Sequence, residues 1–163
     1  MPTTGFTHVS VHARDLDESA RFYKEFFGME EIPSPDFPFP VRWLRAGGRQ
    51  LHLSRSEGPA PQGHHFGLDV DDFEAVYSRA KERGVRIGEG YFSKVYELPD
   101  GAVQIYLRDP SGNMVEVNHP DASALDRSVL GEIEKVPVET EEGAEAELYV
   151  RSEQGRSERE SQF

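Results

Sequence analysis

The chain repeats itself. The segment His8-Val9-Ser10-Val11-His12-Ala13-Arg14-Asp15-Leu16-Asp17 lies over His65-Phe66-Gly67-Leu68-Asp69-Val70-Asp71-Asp72-Phe73-Glu74 at an offset of 57 residues. The overlay matches His8 to His65, Asp15 to Asp72 and Leu16 to Phe73. Internal repetition of this kind means one supersecondary plan used twice, and it limits the folds available more than any single motif does.

Each copy continues into an amphipathic helix. Over residues 15–27, Leu16, Ala20, Tyr23 and Phe27 form one stripe, with Asp15 as N-cap, Glu18 three residues on and Gly28 as a stop. Over residues 72–83, Phe73, Val76, Tyr77 and Ala80 follow helical spacing and Gly84 stops it. Strands are expected near 29–34, 40–46 and 49–54, with Gly47-Gly48 as a turn. Their counterparts are expected near 85–97, 102–108 and 113–118, with turns at Asp100-Gly101 and Asp109-Pro110-Ser111-Gly112. The last strands also correspond: Gly48 to Leu53 lies over Gly112 to Val117, matching His52 to Glu116. The Pro-rich stretch Pro33–Pro40 is expected to be a stiff connection.

Strand alternation then sorts the side chains. Val9 and Val11, Leu51 and Leu53, Phe66 and Leu68, and Val115 and Val117 suit packing beneath helices. His8, Ser10 and His12, then Gln50 and His52, then His65, then Met114, Glu116 and Asn118, fall on the opposite faces. Imidazoles and a carboxylate buried there without partners cost several kcal/mol, roughly, by transfer estimates. These faces therefore look onto open solvent or onto a wet concave cavity with a ligand, and a divalent ion satisfies the groups together. With no cysteine in the chain, thiolate zinc sites, disulfides and iron–sulfur clusters are excluded, so any metal is held by nitrogen and oxygen. His64 points to the opposite face or the strand entrance, and His119 follows the last strand. His12 shares the His8 face two residues further along, where it suits a substrate contact. Arg42, Trp43, Tyr96, Tyr106 and Arg108 are further candidates to reach a substrate.

These motifs resemble the vicinal oxygen chelate superfamily of glyoxalase I, extradiol dioxygenases, methylmalonyl-CoA epimerase, fosfomycin-resistance transferases and bleomycin-resistance proteins. The resemblance spans about residues 5–120. It rests on His8-Val9-Ser10-Val11 with Asp15 to Tyr23, on Gly28-Met29, on His65 to Asp72, and above all on Asp109-Pro110-Ser111-Gly112-Asn113 leading to Val115-Glu116. It implies an α+β fold of paired βαβββ modules, about residues 5–56 and 63–120, forming a cupped, barrel-like mixed sheet around a metal cavity.

Carried over position by position, the resemblance makes His8 and His65 first-strand ligands, Glu116 the last-strand carboxylate and His52 the fourth position. One divalent ion is implied, with Zn, Ni, Co, Mn and Fe equally compatible. Glyoxalase-like or isomerase-like proton transfer on a small molecule, with Glu116 as base, is the favoured expectation. A non-haem iron extradiol-type dioxygenase is one alternative, and a metal-free small-molecule-binding resistance protein is another. Relatives of this size commonly form homodimers, some with sites shared between chains.

Charge narrows the partners. The formal net charge is −12 and no basic run occurs, which argues against nucleic acid and anionic membrane surfaces. No apolar run approaches the roughly 18 residues of a membrane span. The N-terminus lacks signal-peptide features, so a cytoplasmic protein is expected. Residues 121–163 carry 12 acidic and 5 basic residues and few aromatics. They are expected to be an acidic, flexible C-terminal tail, although Leu130, Ile133, Val136 and Val138 offer it a way to lie on the domain.

Overall fold

The computed structural model describes residue 3 and residues 5–149. The first module runs β1 (His8–Ala13), α1 (Leu16–Phe27), β2 (Glu30–Ile32), β3 (Val41–Ala46) and β4 (Arg49–Arg55). The second runs β5 (His65–Asp69), α2 (Phe73–Glu82), β6 (Val95–Glu97), β7 (Val103–Arg108) and β8 (Met114–His119). Both helices begin where local chemistry dictates. The Asp15 and Asp72 carboxylates accept the backbone N–H groups of Glu18 and Ala75, each at 2.9 Å, satisfying donors that the first helical turn leaves unpaired. Gly28 ends α1 in the left-handed region at φ 62°, where a residue with a Cβ is strained.

Two mixed sheets result, ordered β1-β4-β3-β2 and β5-β8-β7-β6, with one further strand beyond β6. In each module the first strand pairs parallel to the last, as the repeat requires. The sheets do not close into a barrel: β1 and β5 are both edge strands and are not hydrogen-bonded to each other. The expected long strand over 85–97 is also broken. It reduces to an Arg86–Leu107 bridge, a 3₁₀ turn at Tyr91–Ser93 and the three residues of β6. Gly90, at φ 71°, turns the backbone away from extension. Between β2 and β3 the prolines at 33, 35, 38 and 40 offer no N–H for a ladder.

One apolar core serves both modules. Tyr23, Leu44, Leu51 and Leu53 from the first meet Phe73, Ile105, Leu107, Val115 and Val117 from the second, all essentially inaccessible. Each such side chain contributes about 1.5–3 kcal/mol by burial.

A second link between the modules is polar, and the Asp-Pro-Ser-Gly-Asn turn makes it. The buried Asp109 carboxylate accepts Ser111 N–H at 2.9 Å and Asn113 N–H at 2.8 Å on Oδ1. Its Oδ2 accepts the Tyr23 hydroxyl at 2.8 Å and Asn113 Nδ2 at 2.7 Å. Asn113 Nδ2 also donates to the His12 carbonyl, and Ser111 Oγ accepts Arg14 N–H. Burial and the adjacent Asp109 charge raise the Tyr23 phenol well above its ordinary range. The motif is thus a buried joint from β7–β8 to β1 and α1.

The packed structure does not stop at residue 120. A 3₁₀ turn (Ala122–Ala124), α3 (Arg127–Leu130) and β9 (Ile133–Lys135) follow, and β9 pairs parallel to β6. Leu130 is buried and its carbonyl accepts the Tyr77 hydroxyl at 2.9 Å. A few well-spaced apolar residues hold this stretch, too sparse to alter its average composition. A last short helix, α4 (Glu141–Ala144), precedes Tyr149. The rest of the expected tail, residues 150–163, lies outside the described residues. Among the described residues no helix is long and apolar enough to cross a membrane.

Candidate metal centre

The four residues singled out by repeat and alternation stand on the polar faces of the two sheets, as two pairs. In the first sheet, Ser10 is opposite His52 and Trp43 is opposite His52, so β1, β4 and β3 present their rings side by side. His8 stacks on His52 with centroids 4.3 Å apart, and His52 stacks on Trp43 at 4.1 Å with planes 1° apart. His52 Nε2 lies 2.8 Å from Gln50 Oε1. Burial and the neighbouring His8 lower the His52 pKa, favouring the neutral imidazole that a metal requires. In the stack the His8 and His52 ring planes lie 15° apart, so joint ligation of one ion requires the His52 ring to turn out of it. The exposed His8 ring has Nδ1 2.9 Å from Thr7 Oγ1.

In the second sheet, Gly67 is opposite Glu116 and Tyr106 is opposite Glu116 from the other side. The buried Glu116 carboxylate has Oε2 3.3 Å from His65 Nε2, and its Oε1 accepts Asn118 Nδ2 at 2.9 Å. Gly67 makes this space. A Cβ there would stand 2.9 Å from Asn118 Nδ2 and 3.5 Å from Glu116 Oε1. Burial, then a hydrogen bond with Glu116 and its charge, push the Tyr106 phenol far above its ordinary value. The Tyr106 hydroxyl also accepts Gln104 Nε2 at 2.6 Å. Aromatic rings wall the pair: Tyr106 meets His65 edge-on at 5.7 Å and Phe92 at 4.8 Å, and Tyr91 stacks on Tyr96 at 4.5 Å.

The pairs remain apart. Among the described residues no three His, Asp or Glu side chains converge as a metal-holding set. A groove of about 880 Å³ runs between the β1 and β5 edges and is lined by His8 and His65 with Phe27, Met29, Phe66 and Leu68. The donors themselves suit a divalent first-row ion. In each sheet they sit within one side chain of each other, and the missing Cβ of Gly67 leaves room beside the carboxylate.

The other candidates divide. Tyr96, Gln104 and Asn118 are successive cross-strand partners, and Tyr106 faces Glu116, so Tyr96 and Tyr106 share the Glu116 face. His12 is half-buried on the His8 face, and its Nδ1 is buried without a partner in the structure. Arg42 belongs to the opposite side. It is paired with Leu53, a core residue, and its guanidinium is held by Glu31 at 2.6 Å and by Asp17. Arg108 donates to the Gly112 carbonyl at 3.0 Å and braces the turn. Sequence reasoning passed over Gln104 and Asn118 as contributors, although strand alternation puts Asn118 beside Glu116.

Comparison with known proteins agrees with this architecture. The family model of the Glyoxalase/Bleomycin resistance protein/Dioxygenase superfamily matches residues 5–117. The chain is 27% identical to "Glyoxylase I 4" of Arabidopsis thaliana over 132 residues, 73% of this chain and 72% of that one. It is 30% identical over 115 residues to the "Trivalent organoarsenical cleaving enzyme" of Bacillus sp. (strain MD1), covering 66% of this chain and 68% of the relative. Among solved structures, "Oxidase ChaP-H2" superposes with a TM-score of 0.59 at 26% identity, covering 76% of this chain and all of that one.

Proposed function

The chain belongs to the glyoxalase/bleomycin resistance protein/dioxygenase superfamily, and from that premise we propose that it is a divalent-metal-dependent enzyme that moves a proton beside a carbonyl group of a small molecule. The observation that carries this reading is the Glu116 environment. A buried carboxylate lies 3.3 Å from His65 and is oriented by Asn118, with Tyr106 as its cross-strand neighbour, on the polar face of a sheet. His8, His65 and Glu116 would hold the ion, with His52 as fourth donor. Bound there, the ion supplies Lewis-acid polarisation of neighbouring substrate oxygens.

The chain's own residues supply the rest. Glu116 accepts the proton, and Asn118 Nδ2 holds its carboxylate in place before and after transfer. Phe92, Tyr91 and Tyr96 flank one side of the site with aromatic surface. Because the donor pairs lie on different sheets that leave unpaired edges at β1 and β5, a homodimer is the proposed working unit. In it, His8 and His52 of one copy meet the partner's His65 and Glu116.

The nitrogen-rich donor set, with one carboxylate, supports a second reading as a non-haem iron dioxygenase. Metal analysis of protein purified without added metal, with His8→Ala and Glu116→Ala beside the wild type, tests the shared premise. Full metal retention in both variants would sink it. Oxygen uptake with catechols supports the dioxygenase. Metal-dependent turnover of glutathione hemithioacetals or CoA thioesters without oxygen uptake supports proton transfer. Ligand affinity that survives metal removal would instead indicate a metal-free binding protein.

A further inference from the structure

Beyond residue 117, where the match to the family model ends, the chain comes back to the candidate site. Val136 N–H donates to the Glu97 carbonyl at the β6 edge, and α4 follows, capped by Thr140. Leu148 N–H then donates to Asp100 Oδ2 at 2.7 Å, and the Tyr149 hydroxyl donates to Asp69 Oδ1 at 2.7 Å. Asp100 lies in the turn between β6 and β7, whereas Asp69 ends β5 at the far edge of the sheet. A segment tied to both crosses β7 and β8, the strands of Tyr106 and Glu116.

Alternation fixes the face. Asp69 is on the same side of β5 as His65 and Gly67 and is opposite Asn118. The Tyr149 hydroxyl is therefore bonded on the polar face one pleat repeat past the Gly67–Glu116 pair, about 7 Å along the strand. After burial and the bond to Asp69, the charges of Asp100 and Glu116 also raise the Tyr149 phenol, consistent with this placement.

We propose that the segment ending in Leu148 and Tyr149 forms a wall over the Glu116 face of the second sheet at its Asp69 end and that Tyr149 is the residue bounding the substrate there. The inference concerns the same site as the proposed function but requires no metal. The wall stands beside acceptors: the exposed Asp69 carboxylate, the buried Glu116 carboxylate and Asn118 Oδ1, a buried oxygen without a partner in the structure. An end of this kind favours ligand hydroxyl or amino donors and disfavours an anionic group. Val138 and Leu148 stay substantially exposed, at 48% and 37%, so few apolar contacts hold the wall closed and its local opening is easily shifted.

Carboxylate labelling of the full chain by a water-soluble carbodiimide and an amine, read by peptide mass spectrometry after chelator treatment, tests the wall. Removing the hydroxyl (Tyr149→Phe) is expected to raise the Glu116 labelling rate about fivefold, the shift in opening for one lost hydrogen bond. Tyr149→Ala is expected to raise it further, with Asp109, 4% exposed in the intermodule joint, unchanged as the control. Equal Glu116 labelling in wild type and both variants overturns the proposal. A parallel rise at Asp109 also overturns it, because the whole fold would then have loosened. Since the metal is removed first, failure of the metal reading leaves this outcome intact.

Discussion

Tyr23→Phe removes one oxygen from the buried joint and nothing else. Asp109 Oδ2 accepts two donors, the Tyr23 hydroxyl at 2.8 Å and Asn113 Nδ2 at 2.7 Å, and the variant leaves it one. A hydrogen bond to a charged group contributes roughly 1.5–3 kcal/mol. For a chain of this length that corresponds to a melting temperature lower by about 4–9 °C. Urea unfolding at pH 7 and fixed protein concentration should show a lower midpoint with an unchanged slope.

The same residue carries a pH signature. The folded Tyr23 pKa is raised above its unfolded value, so the folded state keeps a proton that the unfolded state releases. That contribution is fully present below about pH 10 and is lost as pH rises from there towards the folded value, by up to about 1.4 kcal/mol per unit. The phenylalanine variant lacks this titration, whereas Tyr96, Tyr106 and Tyr149 remain in both proteins and cancel. The gap in stability should therefore narrow above pH 10. A gap below about 0.5 kcal/mol at pH 7, less than a typical net hydrogen bond, or one constant to high pH, would refute the role given to the joint.

Mixing His8→Ala protein with Glu116→Ala protein under subunit exchange should restore one intact site, and one bound metal, per mixed dimer; sites confined to one chain would stay empty in the mixture. Trp43 is the single tryptophan and is stacked on His52, so zinc titration should change its emission as the ring turns out to bind. Stoichiometric zinc binding with no change in emission would remove His52 from the ligand set. Gly67→Ala drives a methyl group into the Asn118 amide. By displacing the group that orients Glu116, it should weaken metal affinity by about 10–100-fold in a competition titration, and an unchanged affinity would show that Asn118 does not matter.

Legibility in the sequence followed the range of the interactions. Asp15, Asp72 and Gly28 act within one helical turn and could be read directly. His8 with His52, and His65 with Glu116, could be read as same-face pairs because repeat position and alternation agreed. Arg42 lies two residues from Leu44, a core residue on the same strand face, so alternation alone puts it on the side of β3 away from His52. The broken strand at 85–97 depended on the backbone turn taken at Gly90. The pairing of β9 with β6 and the reach of Tyr149 to Asp69 join residues 38 and 80 positions apart. No local pattern encodes such partners, and the separation of the two donor pairs is likewise set by how whole sheets meet.

The joint at Asp109 has a mechanical consequence. The repeat gives that turn a counterpart, Gly47-Gly48, which carries no side chain to bond across to β5. On the Asp109 side the modules are welded by Tyr23, Ser111 and Asn113. On the other side, Gly47 and Arg49 line the open groove with Asp69 and Val70. The helices also meet across the modules, where Arg83 donates to the Glu25 carboxylate at 2.7 Å and lies over the Phe26 ring, so the halves are bonded in more than one place around their shared core. Pinned in this way, the duplication that supplies matched donors carries His8 and His65 as fixed points on the two walls of one groove.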